Sequence, residues 1–417
     1  MGEHADVDCA DIVPPPPDRV GEPAGLRPRG GRVMGVDLAR GVALMGMMAV
    51  HVFDTLHSDY SPSRTQQLVA GHALATFVLL AGVSLALAAQ RDSSGSRAGA
   101  GHGWPDVGTA ASMATRALLI GLIGLVLNYT DPPADVILPY YGAMFLLAIP
   151  LIRLSSRALA AIALSLVAIA PLVVLASFAA DLDPDEPTVG ALAHPVELAT
   201  TLLVSGSYPV VEYLAVICAG IAIGRLDLSA RRMAVRLAAG GGVLALVSWL
   251  LASLLMLQLG GLQHLRAAAP ARLGASQARN VVVWDPDPVL SWWWLVQRAP
   301  YTVTPLRMLH DLGVAMAVLG VCLLVTRSRR HGRLVGPLAV AGSMALTLYT
   351  AHILVLSRYP LEDQPVILYA ALGLGCLVFA GIWSRTEPRG PLEALVSTSC
   401  RLARDVVNAR PPSERRS

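Results

Sequence analysis

Lysine is absent from the chain: all 32 basic residues are arginine. That bias speaks of a GC-rich genome rather than of mechanism. Charge of either sign is scarce, 15% of residues, where a soluble domain carries roughly a quarter. Together with 54% hydrophobic residues and a mean hydropathy of +0.56, this excludes an ordinary soluble globular domain. The net charge of +3 gives no basic footprint for a nucleic-acid partner. Cys9, Cys218, Cys322, Cys376 and Cys400 are far apart, so they form neither a disulfide framework nor a metal spacing. There is no Walker-type loop and no H-E-x-x-H. Internal repeats, and the matched broken segments of inverted-repeat transporters, are also missing. No signal peptide is expected: residues 1–31 are polar, with PPPP at 14–17, and read as a disordered cytoplasmic tail.

What the chain does have is apolar runs long enough to cross the hydrocarbon core. They predict an all-α, polytopic membrane bundle of about ten helices. The expected spans are roughly 33–53, 68–90, 113–129, 136–153, 157–180, 208–225, 233–257, 305–326, 337–357 and 365–384. A transmembrane domain over 32–385 then contains one long outer loop, 258–304, and is followed by a basic, amphipathic tail, 386–417.

Charge alternates from loop to loop. Arginines cluster in the tail before the first span, then at Arg91 and Arg97, Arg153 and Arg157, Arg225 to Arg236, Arg327 to Arg333, and after the last span. The intervening loops are acidic or mixed: Asp54 and Asp59, Asp131 and Asp135, Asp181 to Glu186, Glu362 and Asp363. Arginine-bearing loops face the cytoplasm, so both termini are expected inside a bacterial inner membrane.

The first span, RVMGVDLARGVALMGMMAVHVF, carries Asp37, Arg40 and His51. An ionisable residue at membrane depth costs about 2.5–3.5 kcal/mol for Asp or Arg and marks a functional candidate. Asp37 and Arg40, spaced i, i+3, share a helix face and can pair. His51 lies about three turns, ~16 Å, beyond Arg40 on the same stripe, towards the outer end.

These residues carry a resemblance. GVDLARGVALMGMMAVH resembles the opening of the heparan-α-glucosaminide N-acetyltransferase-like and YeiB-like membrane proteins. The Arg40 to His51 spacing is similar to the first-helix signature of the acyltransferase-three membrane O-acyltransferases. Further stretches match in order: FVLLAG at 77–82, ILPYYGAMFLL, YPVVEYLAVICAGIAIGRLDL, AGSMALTLYTAHILVL, and RGPLEAL at 389–395, which resembles a closing G-P-L-E motif. In the heparan branch an asparagine stands where this chain has His51, and the catalytic histidine follows in the next loop. Here that loop offers His57, at a different spacing.

The resemblance implies transfer of an acyl group, most simply acetyl, from cytoplasmic acyl-CoA to a hydroxyl or amine of an extracytoplasmic sugar, glycolipid or other envelope acceptor, in contact with membrane lipid. Such chemistry needs cations for the CoA phosphates; Arg40, Arg116 and Arg225 are the candidates. It needs a general base: His51 first, with His57 as rival, His352 on the ninth span, and Asp37 as partner to Arg40. It needs donors for the thioester oxyanion, for which Asn128, Tyr140 and Tyr141 are available. On the acceptor side stand Trp292, Trp293, His310 and Asp311. No metal or other cofactor is expected, and a homodimer is left open.

Each assignment has a plainer counterpart. Asp37–Arg40 would also serve as a structural ion pair, and His51 as an interfacial residue. His352 would also serve as a hydrogen bond between helices, and His310 and Asp311 as a helix start or gate. The tryptophans of SWWWL suit an interfacial belt as well as a sugar platform. The glycines of GLIGLVL and LGLGC suit close helix packing. A proton-coupled transporter or exporter is the main alternative function, and a catalytically inactive assembly protein of the same fold is the second.

Overall fold

The chain is seen in a computed structural model that describes residues 33–95, 107–182, 186–267, 273–359 and 364–409. The proline-rich tail expected at 1–31, Arg97, Asp183, Asp185, Glu362, Asp363 and the last eight residues of the basic tail lie outside them. Among the described residues no strand forms; one isolated bridge, Leu56 to Pro62, closes the turn after the first helix.

Twelve helices define the bundle: α1 Met34–Val52, α2 His72–Gly95, α3 Val107–Leu127, α4 Leu138–Leu151, α5 Ser156–Ala179, α6 Val210–Gly224, α7 Arg231–Leu257, α8 Pro305–Val325, α9 Arg329–Gly342, α10 Ala345–Arg358, α11 Pro365–Trp383 and α12 Pro391–Asn408. Among the described residues, seven helices are long and apolar enough to cross a membrane, and up to nine spans result if each of two bent pairs counts as one. The chain is therefore a multi-pass membrane protein.

The difference from ten comes from two physical features. At 14 residues, α4 is only ~21 Å long by its rise, short of the ~30 Å hydrocarbon core. The expected ninth span is broken: α9 and α10 meet at 70°. The expected sixth span is preceded by Pro195–Ser205, bent by 63° from α6. That bend falls at the sequence GSYP, residues 206–209, where proline cannot extend the preceding helix.

Position in the bundle follows composition. The apolar window that includes α2 is 67% buried, whereas that of α11 is 17% buried, so α2 is central and α11 faces outward. Small residues let backbones approach, because helix association in lipid relies on van der Waals packing. A Cβ on Gly82 would press on the Ile217 carbonyl of α6, and one on Gly342 would collide with the Asp37 carbonyl of α1. The glycines of GLIGLVL do pack this way, Gly124 against Pro139 and Gly121 beside Gly142. In LGLGC the close-packing expectation fails at Gly375, which faces open space.

Contacts between loops fall into two sets. At one end Arg225 donates to the carbonyls of Leu154 and Ile152, and Arg327 to that of Ser229. At the other end Asn128 donates to Pro187, Thr130 meets Ser357, Tyr208 reaches Asp135 and Asn280 reaches Asp59. The first end is rich in arginine and the second is acidic. The long loop after α7 is partly helical, with short helices at Gly261–Arg266 and Ala275–Trp284 and a 3₁₀ turn at Trp292–Val296.

Candidate active site

Near the acidic end, α1 and α10 bring two histidines together. His51 Nδ1 lies 3.1 Å from His352 Nε2, and the rings stack at 5.3 Å and 13°. His352 is 1% exposed. Its Nδ1 lies 3.3 Å from the Leu348 carbonyl, one helical turn back. A carbonyl only accepts, so in the neutral pair the network assigns the proton to His352 Nδ1. His352 Nε2 is then an acceptor, His51 Nδ1 donates to it, and the lone pair of His51 sits on Nε2. No hydrogen bond among the described residues engages that nitrogen. Tyr349 packs edge-on to both rings, at 6.5 Å from His51 and 5.1 Å from His352, and its hydroxyl accepts from the Ile137 amide. His51 opens on a small cavity shared with Met47, Val50, Ala73, Leu74, Tyr208 and Tyr301.

Three turns along α1, Arg40 Nη1 donates to Asp37 Oδ1 at 2.6 Å, the i, i+3 pair expected from spacing. Arg40 also donates to the Ser84 hydroxyl of α2. Tyr141 of α4 lies near both Arg40 and Tyr349. Its hydroxyl is buried and has no hydrogen-bond partner among the described residues. A buried hydroxyl left over in this way is uncommon and calls for an explanation. From Arg40 through Tyr141 and Tyr349 to the histidine pair, polar groups line the path along α1.

A second cluster joins α2, α6 and α8. Asp311 accepts from Arg307 Nε at 2.7 Å through one oxygen and lies 2.7 Å from His72 Nδ1 through the other. Arg307 also donates to the carbonyls of Ala70 and Arg298. Glu212, 6% exposed, lies near both Arg307 and Asp311. His310 points the other way, its Nδ1 2.8 Å from the Ala245 carbonyl and its ring 5.1 Å from His72. Arg307 is the residue that sequence reasoning missed. The signal was its i, i+4 spacing to Asp311 on one helix face, behind a Thr304–Pro305 helix start that Thr304 caps.

The remaining candidates are scattered. His57 is exposed in a turn closed by His57–Ser61 backbone bonds. The Ser61 hydroxyl and amide hold the Asp59 carboxyl of that turn below the usual carboxylate range. Arg116 is exposed on α3. Arg225 caps the C-terminal end of α4 with its guanidinium. Asn128 binds the Pro187 carbonyl, and the Tyr140 hydroxyl abuts Gly206. Of the tryptophans, Trp292 is 80% exposed and Trp294 5%, while Trp293 stacks on His264 at 5.1 Å. Among the described residues, none of these groups is hydrogen-bonded to the His51–His352 pair.

The chain matches a known family. The model for heparan-alpha-glucosaminide N-acetyltransferase, catalytic, covers residues 32–259. The matched segment holds Asp37, Arg40, His51, His72, Tyr141 and Glu212; Arg307, Asp311 and His352 lie beyond it. No curated protein matches the chain. With more than half of its length covered, this chain belongs to the heparan-alpha-glucosaminide N-acetyltransferase family.

Proposed function

We propose that the protein moves an acetyl group from cytoplasmic acetyl-CoA, across the membrane, to a hydroxyl or amine of an extracytoplasmic sugar, glycolipid or other envelope acceptor. The observation that carries this is the His51–His352 pair, with an uncommitted lone pair on His51 Nε2 and His51 lining a cavity at the acidic end. Family membership supports acetyl transfer. The sorting of loops into an arginine-rich and an acidic end supports a topology with the tail before α1 and α12 both cytoplasmic.

His51 Nε2 takes the proton of the acceptor as its oxygen or nitrogen attacks the thioester carbon. The carbon–sulfur bond breaks, and the proton passes from His51 to the departing CoA sulfur. Positive charge on His51 during the step is shared through Nδ1–H with His352 Nε2, and the Leu348 carbonyl holds His352 in the accepting tautomer. The free Tyr141 hydroxyl donates to the carbonyl oxygen as it gains charge. Arg40 contacts a CoA phosphate, with Asp37 and Ser84 fixing its guanidinium. The transmembrane domain is assigned to 32–385, with 386–417 as a cytoplasmic tail, in a bacterial inner membrane.

Purified protein in nanodiscs, given labelled acetyl-CoA, tests this. Wild type binds the donor and slowly releases CoA thiol. His51→Ala keeps binding and loses release, and Arg40→Ala loses affinity. Failure of wild type to bind at micromolar concentration sinks the donor assignment. A proton-coupled carrier would be favoured by the buried His72–Asp311–Arg307 cluster; such a carrier would not consume acetyl-CoA.

A further inference from the structure

The G-P-L-E stretch, Gly390 to Glu393, takes no part in the chemistry above, yet the structure gives each of its residues a place. Helix α12 starts at Pro391, with Gly390 as its N-cap. Proline suits the first helical position because its missing amide is not needed there. A Cβ on Gly390 would collide with the Glu393 carboxylate and crowd the Thr347 hydroxyl, so a larger residue there would displace both. Glu393, in the first turn, turns away from its own helix. Its Oε1 accepts from the amides of Leu346 at 2.7 Å and Thr347 at 3.1 Å, and its Oε2 from the Thr347 hydroxyl at 2.6 Å. The Thr347 hydroxyl in return accepts from the Leu392 amide at 3.1 Å.

Two helix N-termini thus cap one another. The first amides of a helix have no partner within it, and α10 has no local cap: the side chain of its N-cap, Met344, makes no capping bond. The missing acceptor arrives from a residue 47 positions later. A carboxylate between two positive helix ends is favourable for both dipoles. The far side of α12 is held independently, through buried Val396 and a Cys400 bond to the Ser112 carbonyl.

We propose that Glu393 is a positioning residue that fixes the start of α10 and, through it, the ring of His352. The link is short. Leu348, whose carbonyl receives the His352 Nδ1 proton, stands in the first turn of α10, and its own amide binds the Met344 carbonyl at the break. Loss of the Glu393 acceptors frays this turn, moves the Leu348 carbonyl and frees His352 to turn over. The catalytic consequence rests on the proposed role of the His51–His352 pair; the structural consequence does not.

Reach and charge can be separated. Glu393→Asp keeps an acid in the first turn of α12 but is one methylene too short to span to Leu346 and Thr347. Glu393→Gln keeps the reach and loses the charge. If the residue served only its own helix, Asp would be tolerated and Gln would not; the clasp demands the reverse. The first readout is the ¹⁵N spectrum of histidine-labelled protein in nanodiscs, in which Nδ1–H and Nε2–H tautomers differ. Glu393→Gln should keep the wild-type His352 signal and Glu393→Asp should lose it. The second is turnover: in Glu393→Asp, kcat falls about 100-fold, as expected for a ring displaced by ~1 Å, while KM for acetyl-CoA stays within twofold. An unchanged His352 signal in monodisperse Glu393→Asp overturns the clasp whatever the activity. A lost signal with unchanged kcat keeps the clasp and removes His352 from catalysis instead. Should Glu393→Asp aggregate, Glu393→Ala, which removes both acceptor oxygens, carries the same test, and an unaltered signal there overturns the proposal equally.

Discussion

Two buried histidine clusters stand near the acidic end of this bundle, and they differ in what is left over. In the α2–α8 cluster both Asp311 oxygens are engaged, Arg307 donates to three different residues, and His72 Nδ1 meets the carboxylate. Gly71, at φ +78°, adopts a conformation that side-chain-bearing residues avoid, and a Cβ there would collide with the Arg307 guanidinium. In the α1–α10 pair, the Leu348 carbonyl sets the tautomer of His352, His352 sets that of His51, and one lone pair is left on His51, which lines a cavity. A carboxylate engaged on both oxygens rigidifies its cluster; an imidazole pair with no carboxylate partner can take a proton on its open nitrogen. The lesson is to look for the open nitrogen that no carboxylate holds, since burial is common to both clusters.

The largest effect should come from removing that atom. His51→Ala is expected to lower kcat by about 10²–10⁴-fold, the usual contribution of a general base, with little change in thermal stability. Adding His352→Ala should cost little more, because residues acting as a unit are not additive. Additive losses in the double variant would separate the two histidines and break the contrast from one side.

The saturated cluster should answer in stability. Asp311→Ala leaves the 5%-exposed Arg307 without its carboxylate, and breaking a buried pair costs about 3–5 kcal/mol. Thermal unfolding in detergent would show it, and Arg307→Leu combined with Asp311→Leu should recover much of the loss. A stable Asp311→Ala that had lost only turnover would move this cluster into the chemistry.

Next in size is Tyr141→Phe. If its partnerless hydroxyl meets the oxyanion, kcat falls about 10²–10³-fold, with unchanged acetyl-CoA affinity. A rate within twofold of wild type would leave the orphaned hydroxyl a packing feature.

Much of this was legible beforehand. Ten apolar stretches declare themselves, seven of which are single helices long enough to cross a membrane among the described residues, and Asp37, Arg40 and His51 stand out because charge inside such a run is expensive. The pairing of His51 with His352, 301 residues apart, was not visible, because no spacing rule links two helices so distant in sequence. Nor was the break before α10, which falls where Gly342 abuts the α1 backbone, a tertiary contact. Arg307 escaped for a different reason: at the edge of an apolar run an arginine looks like a loop residue, and only its spacing to Asp311 places it on the helix.

The smallest effect should belong to His57, and its smallness is informative. In the heparan branch that the chain resembles, the catalytic histidine lies in the loop after the first helix, which here would favour His57 over His51. The structure puts His57 in an exposed turn whose backbone bonds run to Ser61 and Tyr60, beside the Ser61-bonded carboxylate of Asp59. An exposed imidazole in water has no partner to fix its tautomer and no cavity to face. His57→Ala should therefore leave kcat within twofold and stability within about 0.5 kcal/mol, as for most surface substitutions. A loss comparable to that of His51→Ala would mean that the turn folds inward when acceptor binds. The base would then be delivered by the loop, and the α1–α10 pair would be its support.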